Sequence, residues 1–543
     1  MITLTLTFNV SPVRAEDIIY IRPDGTVDPS TAPIQRNGNV YTLTSDIYGY
    51  SICVEKDNVI IDGMGHTING GGREVGVDVS GRSNVTIKNL KIERFWFGVR
   101  LYKSSNNKII KNNLTANMAD GISLDESLNN LIYGNNIMNN EYGIYLHESQ
   151  NNTICQNNVV DNYYGIIFRK SPTNNLRGNS LDNKYNLRVD GSDVWDYIQD
   201  IDISNFVNGK PVYYWVNKQN MTVPLDAGYV ALVNCTGIVV DGLRVTNNGQ
   251  GILLAFTMDS VVTRSEIMDN EYGIYLYESQ NNVVYGNNLT ANKDYGIVLG
   301  FSSSNLICGN YVSDNKHGIW LFSSSNNVVR ENNVVGNYYG ILIEWGSLNN
   351  RIYQNNLIGN RYQAFGRNLK NMWDDGYQYG NYWSDYSGKD YDCDGVGDAP
   401  YVIDENNQDN YPLMGVFYDF KVAEKYPVFA ICNFSISNFE FDGHTIRFSI
   451  SCQNDTAGFC RICIPTALMN DTFKVFINNV EVPYTLLPCS NSTYNHLYFT
   501  YEHITEGTVL IIPEFSSALT LLITYILFSI LVIIYRGVIG RST

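Results

Sequence analysis

Tyr142-Gly143-Ile144-Tyr145-Leu146, followed by Ser149, Asn151-Asn152, Ile154 and Asn157-Asn158, returns from Tyr272 to Asn288 almost letter for letter. Aligned on the Gly step, the phrase recurs at Gly98, Gly121, Gly143 and Gly165, then at Gly228, Gly251, Gly273, Gly296, Gly318 and Gly340, about 22 residues apart within each run. A unit that short is one coil of a solenoid. Within it, runs such as Gly-Ile-Tyr-Leu, Asn-Asn-Thr-Ile and Asn-Asn-Val-Val alternate apolar with polar residues, the period of a strand with one buried face. Asn and Gly fall between the runs, where the chain must turn and left-handed backbone costs these residues least.

Three strands and three corners per repeat predict an all-β chain: a right-handed parallel β-helix whose Gly-Ile-X-Leu strands lie in register in one sheet. Asn113, Asn136, Asn158, Asn288, Asn333 and Asn356 are expected to stack at one corner, each amide bonding the coils above and below. A leucine-rich horseshoe is excluded, because it needs several Leu and a helical return in every repeat.

Around the coils, the sequence divides into segments. Residues 1–15 read as the tail of a signal peptide, from the apolar stretch Ile2 to Val10 and Val13-Arg14-Ala15, although no basic region precedes it. Residues 16–97 are expected to form an N-terminal cap and first coils, and 98–368 the repeats, interrupted across 185–227 by an insertion that makes a side excursion from the stack. Residues 369–416 are rich in Trp, Tyr and Asp. Residues 417–512 change to longer alternating runs, as in a small β-sandwich, and read as a membrane-proximal stalk. In the last segment, 513–543, Ala518 to Tyr535 is apolar over a length that spans a bilayer and is followed by Arg536 and Arg541; it reads as a C-terminal transmembrane helix with the body outside.

The formal net charge of −17 speaks against nucleic acid as a partner. Asn-X-Ser/Thr sequons at Asn84, Asn220, Asn433 and Asn470 suit a secreted glycoprotein, though a chain this rich in Asn produces some by chance. Cys432, Cys452, Cys460, Cys463 and Cys489 cluster in the stalk, where a structural disulfide is expected ahead of a metal or redox role for Cys460-Arg461-Ile462-Cys463. Cys155 and Cys308 lie several coils apart and cannot bond to each other.

Asp390-Tyr391-Asp392-Cys393-Asp394-Gly395-Val396-Gly397-Asp398 places carboxylates at loop positions 1, 3, 5 and 9 with Gly at 6, which is the spacing of a calcium loop. Asp390, Asp392, Asp394 and Asp398 are the expected side-chain ligands and Val396 offers its carbonyl. Tyr401 stands where a bidentate Glu is usual. Copper is not expected, because the His and Met residues are spread singly.

Candidate sugar contacts come from the column two residues after each Gly, in which Tyr145, Tyr275 and Trp320 present aromatic faces. Asp125, Glu126, His147, Glu148, Arg169, Glu278 and Glu344 follow the same strands on the turns, but spacing pairs none of them, so binding without turnover is expected.

Ile61-Asp62-Gly63, the Gly-Ile-Tyr-Leu and Asn-Asn coils, Gly209-Lys210-Pro211-Val212-Tyr213-Tyr214-Trp215, and Gly380-Asn381-Tyr382-Trp383-Ser384-Asp385-Tyr386 with its Asp-rich loop resemble archaeal surface proteins of the NosD-like family. The resemblance reaches Met414. It implies a right-handed β-helix shared with carbohydrate-binding proteins and sugar hydrolases, and it carries a periplasmic copper-binding name. Ile512-Pro513-Glu514-Phe515 resembles the anchoring signals of archaeal secreted proteins. The sequence therefore predicts a surface protein that binds extracellular glycans; a polysaccharide hydrolase, lyase or epimerase comes second and a copper-maturation factor third.

Overall fold

The computed structural model describes residues 17–367, 369–422, 427–452, 457–470, 472–502, 505–514 and 530. The expected signal peptide and, apart from Ile530, the apolar run Ala518–Tyr535 lie outside the described residues. Among the described residues, no helix is long and apolar enough to cross a membrane. The described residues form two compact units, one running to 328 and including 335–348, the other made of 329–334 and the described residues from 349 on.

The first unit is a right-handed parallel β-helix. Ile122 pairs with Ile144, Ile144 with Ile166 and Ile166 with Leu187, so each coil drops its apolar residue directly onto the one below. The run resumes as Val230, Ile252, Ile274, Ile297, Ile319 and Ile341. All of these side chains are buried, and period-two alternation sends the residues between them outward. The glycines of the phrase are fixed by close approach. A Cβ on Gly143 would meet the carbonyl oxygen of Gly165 at 2.6 Å and a methyl of Val159 at 2.6 Å.

The expected Asn column stacks from coil to coil, as in Asn136 on Asn113 and Asn356 on Asn333, and a second, buried ladder lies one residue earlier. The buried amides are Asn112, Asn135, Asn157 and Asn179, each preceding or replacing the Asn expected to stack. Asn135 N–H donates to Asn157 Oδ1 at 3.0 Å, Asn135 Nδ2 donates to the same oxygen at 3.0 Å, and Asn135 Nδ2 also donates to the Ile109 carbonyl at 2.8 Å. The left-handed position is held by the residue just before: Lys111, Gly134, Gln156 and Gly178. Corner turning and coil stacking are thus done by different residues. Asn113, Asn136 and Asn158 make the expected, more exposed column, with Asn158 Nδ2 donating to Asn136 Oδ1 at 2.8 Å. Parallel ladders run through Asn107, Asn130 and Asn152 and through Asn117, Asn140 and Asn162.

Coils begin early in the segment expected as a cap, since Ile18–Ile21 pairs in parallel with Ser51–Val54. Across 185–227 the letters of the repeat disappear but the winding continues. Asn175 and Leu176 pair with Asp200 and Ile201, Ser180 and Leu181 with Phe206 and Val207, and Lys210–Val216 forms a parallel strand with Tyr229–Val233. What leaves the coil is a short loop carrying the helix Val194–Tyr197, capped by Asp193.

The second unit buries Trp373 and Trp383 and contains the expected sandwich, two five-stranded antiparallel sheets. Val428, Ile462 and Leu497 of one sheet share a core with Phe448, Val475 and Ile511 of the other. Cys432 and Cys460 stand directly opposite on neighbouring strands and are fully buried. Cys460 belongs to the sandwich core whereas Cys463 packs on the opposite face with Tyr379 and Leu413. Cys460 and Cys463 therefore do not form a vicinal redox pair.

Candidate functional site

In the first unit the outward residues of neighbouring strands form a grid. Arg100, Ser123, Tyr145 and Ile167 are register partners in one column; Tyr102, Asp125, His147 and Arg169 are partners in the next. Asp120, Tyr142 and Tyr164 align on the other side, before the Gly step. Ser123 is the smallest side chain in its column, and the surface hollows around it into a groove of about 590 Å³. Asp120, Tyr142 and Tyr145 line it, with Asp125, His147 and Arg169 along one margin and Glu74 and Arg100 at one end.

Three features give the groove chemical character. His147 Nδ1 lies 2.8 Å from Asp125 Oδ1, on the adjacent coil, while Nε2 is 3.8 Å from Glu148 Oε1. The Asp125 carboxylate thus fixes the orientation of the imidazole through Nδ1. Asp120 is only 5% exposed, and burial pushes its carboxyl up to about 7; the Ser123 hydroxyl pulls it partway back and Glu141 adds to the rise. Guanidinium groups stand at both ends: Arg100, 3.8 Å from Glu74, and Arg169 beside His147. Tyr142 stacks on Tyr164 with ring centroids 5.0 Å apart and meets Tyr145 at 5.5 Å.

Of the aromatic residues singled out from sequence, Tyr145 lies in this groove. Tyr275 and Trp320 lie elsewhere on the first unit. Tyr275 is half-buried between Tyr272 and Tyr277. Trp320 stacks on Tyr295 at 4.7 Å and abuts Phe322 at 4.6 Å, and its Nε1 is buried without a hydrogen-bond partner. The other members of the column, Ile167, Val298 and Leu342, are buried among their neighbours. From the turn residues the structure brings Asp125, His147 and Arg169 together. Asp120, Arg100 and Tyr142 complete the set. Register is the signal that finds them, since Asp120 stands immediately before Gly121 as Tyr142 does before Gly143.

In the second unit, Asp390, Asp392 and Asp398 can each offer an oxygen within 4.8 Å of the others. These are hard donors suited to calcium. Much of the loop's oxygen is already engaged, however. Asp390 accepts from Asp394 N and Gly395 N at 3.0 and 2.8 Å, and Asp398 from Tyr391 N at 2.6 Å. Asp394 accepts from Val396 N and turns toward Arg461, with Oδ2 3.6 Å from Nη1. Asp394 therefore stands apart from the three-carboxylate group.

Soft ligands do gather in that unit, but around a fixed cation. Cys463 Sγ is 3.2 Å from His496 Nδ1, and fully buried Arg461 places Nη2 3.5 Å from His496 Nδ1 and 3.5 Å from Cys489 Sγ. Burial, aided by Arg461, lowers the His496 imidazole to about 4. A guanidinium at the centre of the cluster repels a copper ion. Among the described residues, no group of three His, Cys or acidic side chains other than the Asp390 loop has its ligand atoms close enough to hold a metal, so the residues present do not fit copper.

Similar folds occur among solved structures. A mutant of a periplasmic alginate epimerase shares 14% identity over 63% of this chain and 69% of its own, with a TM-score of 0.20. A mutant tailspike protein of an E. coli bacteriophage in complex with a pentasaccharide shares 9% over 87% and 76%, with 0.29. A mannuronan C-5 epimerase module of Azotobacter vinelandii shares 13% over 59% and 89%, with 0.21. Likeness at this level does not bear on the chemistry of the groove. No curated protein matches the chain. The family described as periplasmic copper-binding protein (NosD) matches residues 30–212 and 203–388. That span covers more than half of the sequence and every residue lining the groove, and the chain therefore belongs to the NosD family.

Proposed function

We propose that the protein binds an extracellular or periplasmic polysaccharide in the groove around Ser123. The observation that carries this reading is the lining itself. Tyr142 and Tyr145 offer ring faces to a sugar, and Asp120, Asp125, His147, Arg100 and Arg169 offer hydrogen bonds to its substituents. Parallel coils repeat about every 4.8 Å, so an extended chain crossing them meets equivalent positions in succession. A place outside the cytoplasm agrees with the periplasmic description of the family. Tethering by the tail at 518–535 belongs to the same proposal.

Affinity electrophoresis through gels carrying acidic or neutral polysaccharides tests this directly. Tyr145→Ala combined with Arg100→Ala abolishes retardation, whereas Tyr275→Ala with Trp320→Ala leaves it in place. Retardation lost only in the second pair would move the binding surface to that column, and absence of retardation by every polymer would end the reading.

A further inference from the structure

We propose that Cys432 and Cys460 are a disulfide site, oxidised as the second unit folds outside the cytoplasm. The inference goes beyond sugar binding and takes from that reading only the extracellular or periplasmic location, where disulfides form and persist. Both thiols are free in the structure, and the fold places them for joining. Val428–Cys432 and Gly458–Pro465 are neighbouring antiparallel strands in which Cys432 is the register partner of Cys460. Directly opposed residues of such a pair point to one face, with Cα atoms about 4.5–5.5 Å apart. A disulfide spans Cα separations of about 4.4–6.8 Å, so neither strand has to shift. Both side chains are fully buried in the core of the sandwich. The thiols also act on each other. Burial raises a thiol, but contacts with the Cys460 thiol and the Tyr501 hydroxyl, 3.4 Å away, bring Cys432 below its ordinary value, whereas Cys460 is held well above.

The other cysteines of the unit are placed differently. Cys463 follows Cys460 by three residues on the same strand, so it faces the other way, and its register partner is Phe429. Its sulfur meets Tyr379 Oη at 3.1 Å and His496 Nδ1 at 3.2 Å. Cys489 lies against Arg461 Nη2 at 3.5 Å. Cys452 follows Ser451 of the facing sheet, whose partners are Ser435 and Glu506, and Cys393 is exposed in the Asp-rich loop.

The segment between Cys432 and Cys460 carries Ser435–Phe441 and Ile446–Ser451, an antiparallel pair in the facing sheet. A bond between the two cysteines therefore closes a loop that leaves one sheet, passes through the other and returns, and it limits the freedom the sandwich gains on unfolding. The oxidant is a small-molecule disulfide such as oxidised glutathione, or the disulfide of an exchange catalyst. The thiolate of one cysteine attacks a sulfur of that disulfide, giving a mixed disulfide and one released thiol. The second thiolate attacks the protein sulfur of the mixed disulfide and releases the other. Two protons and two electrons leave the cysteine pair, and the oxidant is reduced to two thiols. Because both sulfurs are fully buried in the folded unit, the exchange takes place before the sandwich closes over them.

The test secretes the full chain into an oxidising compartment, blocks free thiols with iodoacetamide in urea without reductant, and maps the peptides by mass spectrometry. Retardation by polysaccharide is measured on the same sample. Cleavage before Asp455 and after Arg461 separates Cys460 from Cys452 and Cys463. The expected result is the Cys432 peptide joined to the Cys460 peptide, at their summed mass less two hydrogens. Glutathione should open that bond at least about 100-fold more slowly in the folded chain than in urea. Alkylated Cys432 and Cys460, or either of them joined to another cysteine, overturns the proposal, and so does a bond that opens equally fast in both conditions, because it would lie outside the core. The joined pair in a protein that no polymer retards supports the proposal and removes only the sugar reading.

Discussion

The phenol of Tyr164 donates a hydrogen bond of 2.6 Å to Glu271, 107 residues later in the chain. Around that carboxylate lie Arg188, with Nη1 2.6 Å from Oε2, and Lys293, with Nζ 3.3 Å from Oε1. Arg188 also holds Asp190 at 2.6 Å. This is the place where the coils before residues 185–227 meet the coils after them. Asn186 N donates to the Asn247 carbonyl and Gly249 N to the Leu187 carbonyl. A Glu that is 3% exposed is tolerable only with such partners.

Arg188→Met should destabilise the protein by about 3–5 kcal/mol, because it leaves buried carboxylates short of their main cation. Combining it with Glu271→Leu should cost less than the sum of the two single changes. Thermal or denaturant melting of the three variants measures this coupling, and strict additivity would mean that the network does not join the two runs.

The two Asn columns should differ sharply. Asn157 accepts from Asn135 and donates to Asn179 Oδ1 and the Ile132 carbonyl, so Asn157→Ala strands buried donors and acceptors on three coils and costs roughly 2–4 kcal/mol. Asn158→Ala, one residue on and exposed, should stay within about 0.5 kcal/mol. Denaturant midpoints decide between them.

Asp120 imposes a pH dependence on stability. Below about pH 4 its carboxyl is protonated in the folded and unfolded chain alike. Between there and its folded value of about 7, only the folded protein holds the proton, so stability falls as pH rises through that window and stays lower above it. The groups that act on Asp120 are the Ser123 hydroxyl on its own strand and Glu141 on the following coil, with Tyr142 as its register partner; all are retained in Asp120→Asn. The Asn variant should therefore gain on the wild type between pH 4 and 7, by an amount on the order of a few kcal/mol. A constant difference in melting temperature across that range would show that Asp120 ionises normally in the folded protein.

Calcium at Asp390, Asp392 and Asp398 is a further proposal. Titration calorimetry of the full chain should detect uptake, and Asp392→Asn should weaken it, because among the described residues the loop's backbone N–H groups bond Asp390, Asp394 and Asp398 and leave that exposed carboxylate to the ion. Equal melting temperatures with calcium and with chelator would leave the loop an acidic turn.

How much of this was legible in the sequence depends on range. The Gly-Ile-X-Leu phrase returns once in every coil, so strand period and stacking could be read from the recurrence of Tyr142–Leu146 at Tyr272–Leu276. The buried Asn ladder one residue before the expected column was not legible, because Asn157 and Asn158 are the same letter and only burial separates the inner stack from the outer one. Residues 200–216 keep the coil with unrelated letters, since a parallel strand demands backbone pairing and an apolar inward face rather than a phrase. The charged lining of the groove was hidden for a different reason. His147 and Asp125 are 22 residues apart in sequence but neighbours in register, and Asp120 is unusual only through burial.

Hydroxyl-radical footprinting of the full chain with and without a saturating polysaccharide that retards it in the affinity gels tests the central claim most directly, because it reports which side chains the polymer covers. The account predicts protection of Tyr142, Tyr145 and His147, with Tyr275 and Trp320 unchanged. Protection of Tyr275 or Trp320 while Tyr145 and His147 oxidise at the same rate would contradict it.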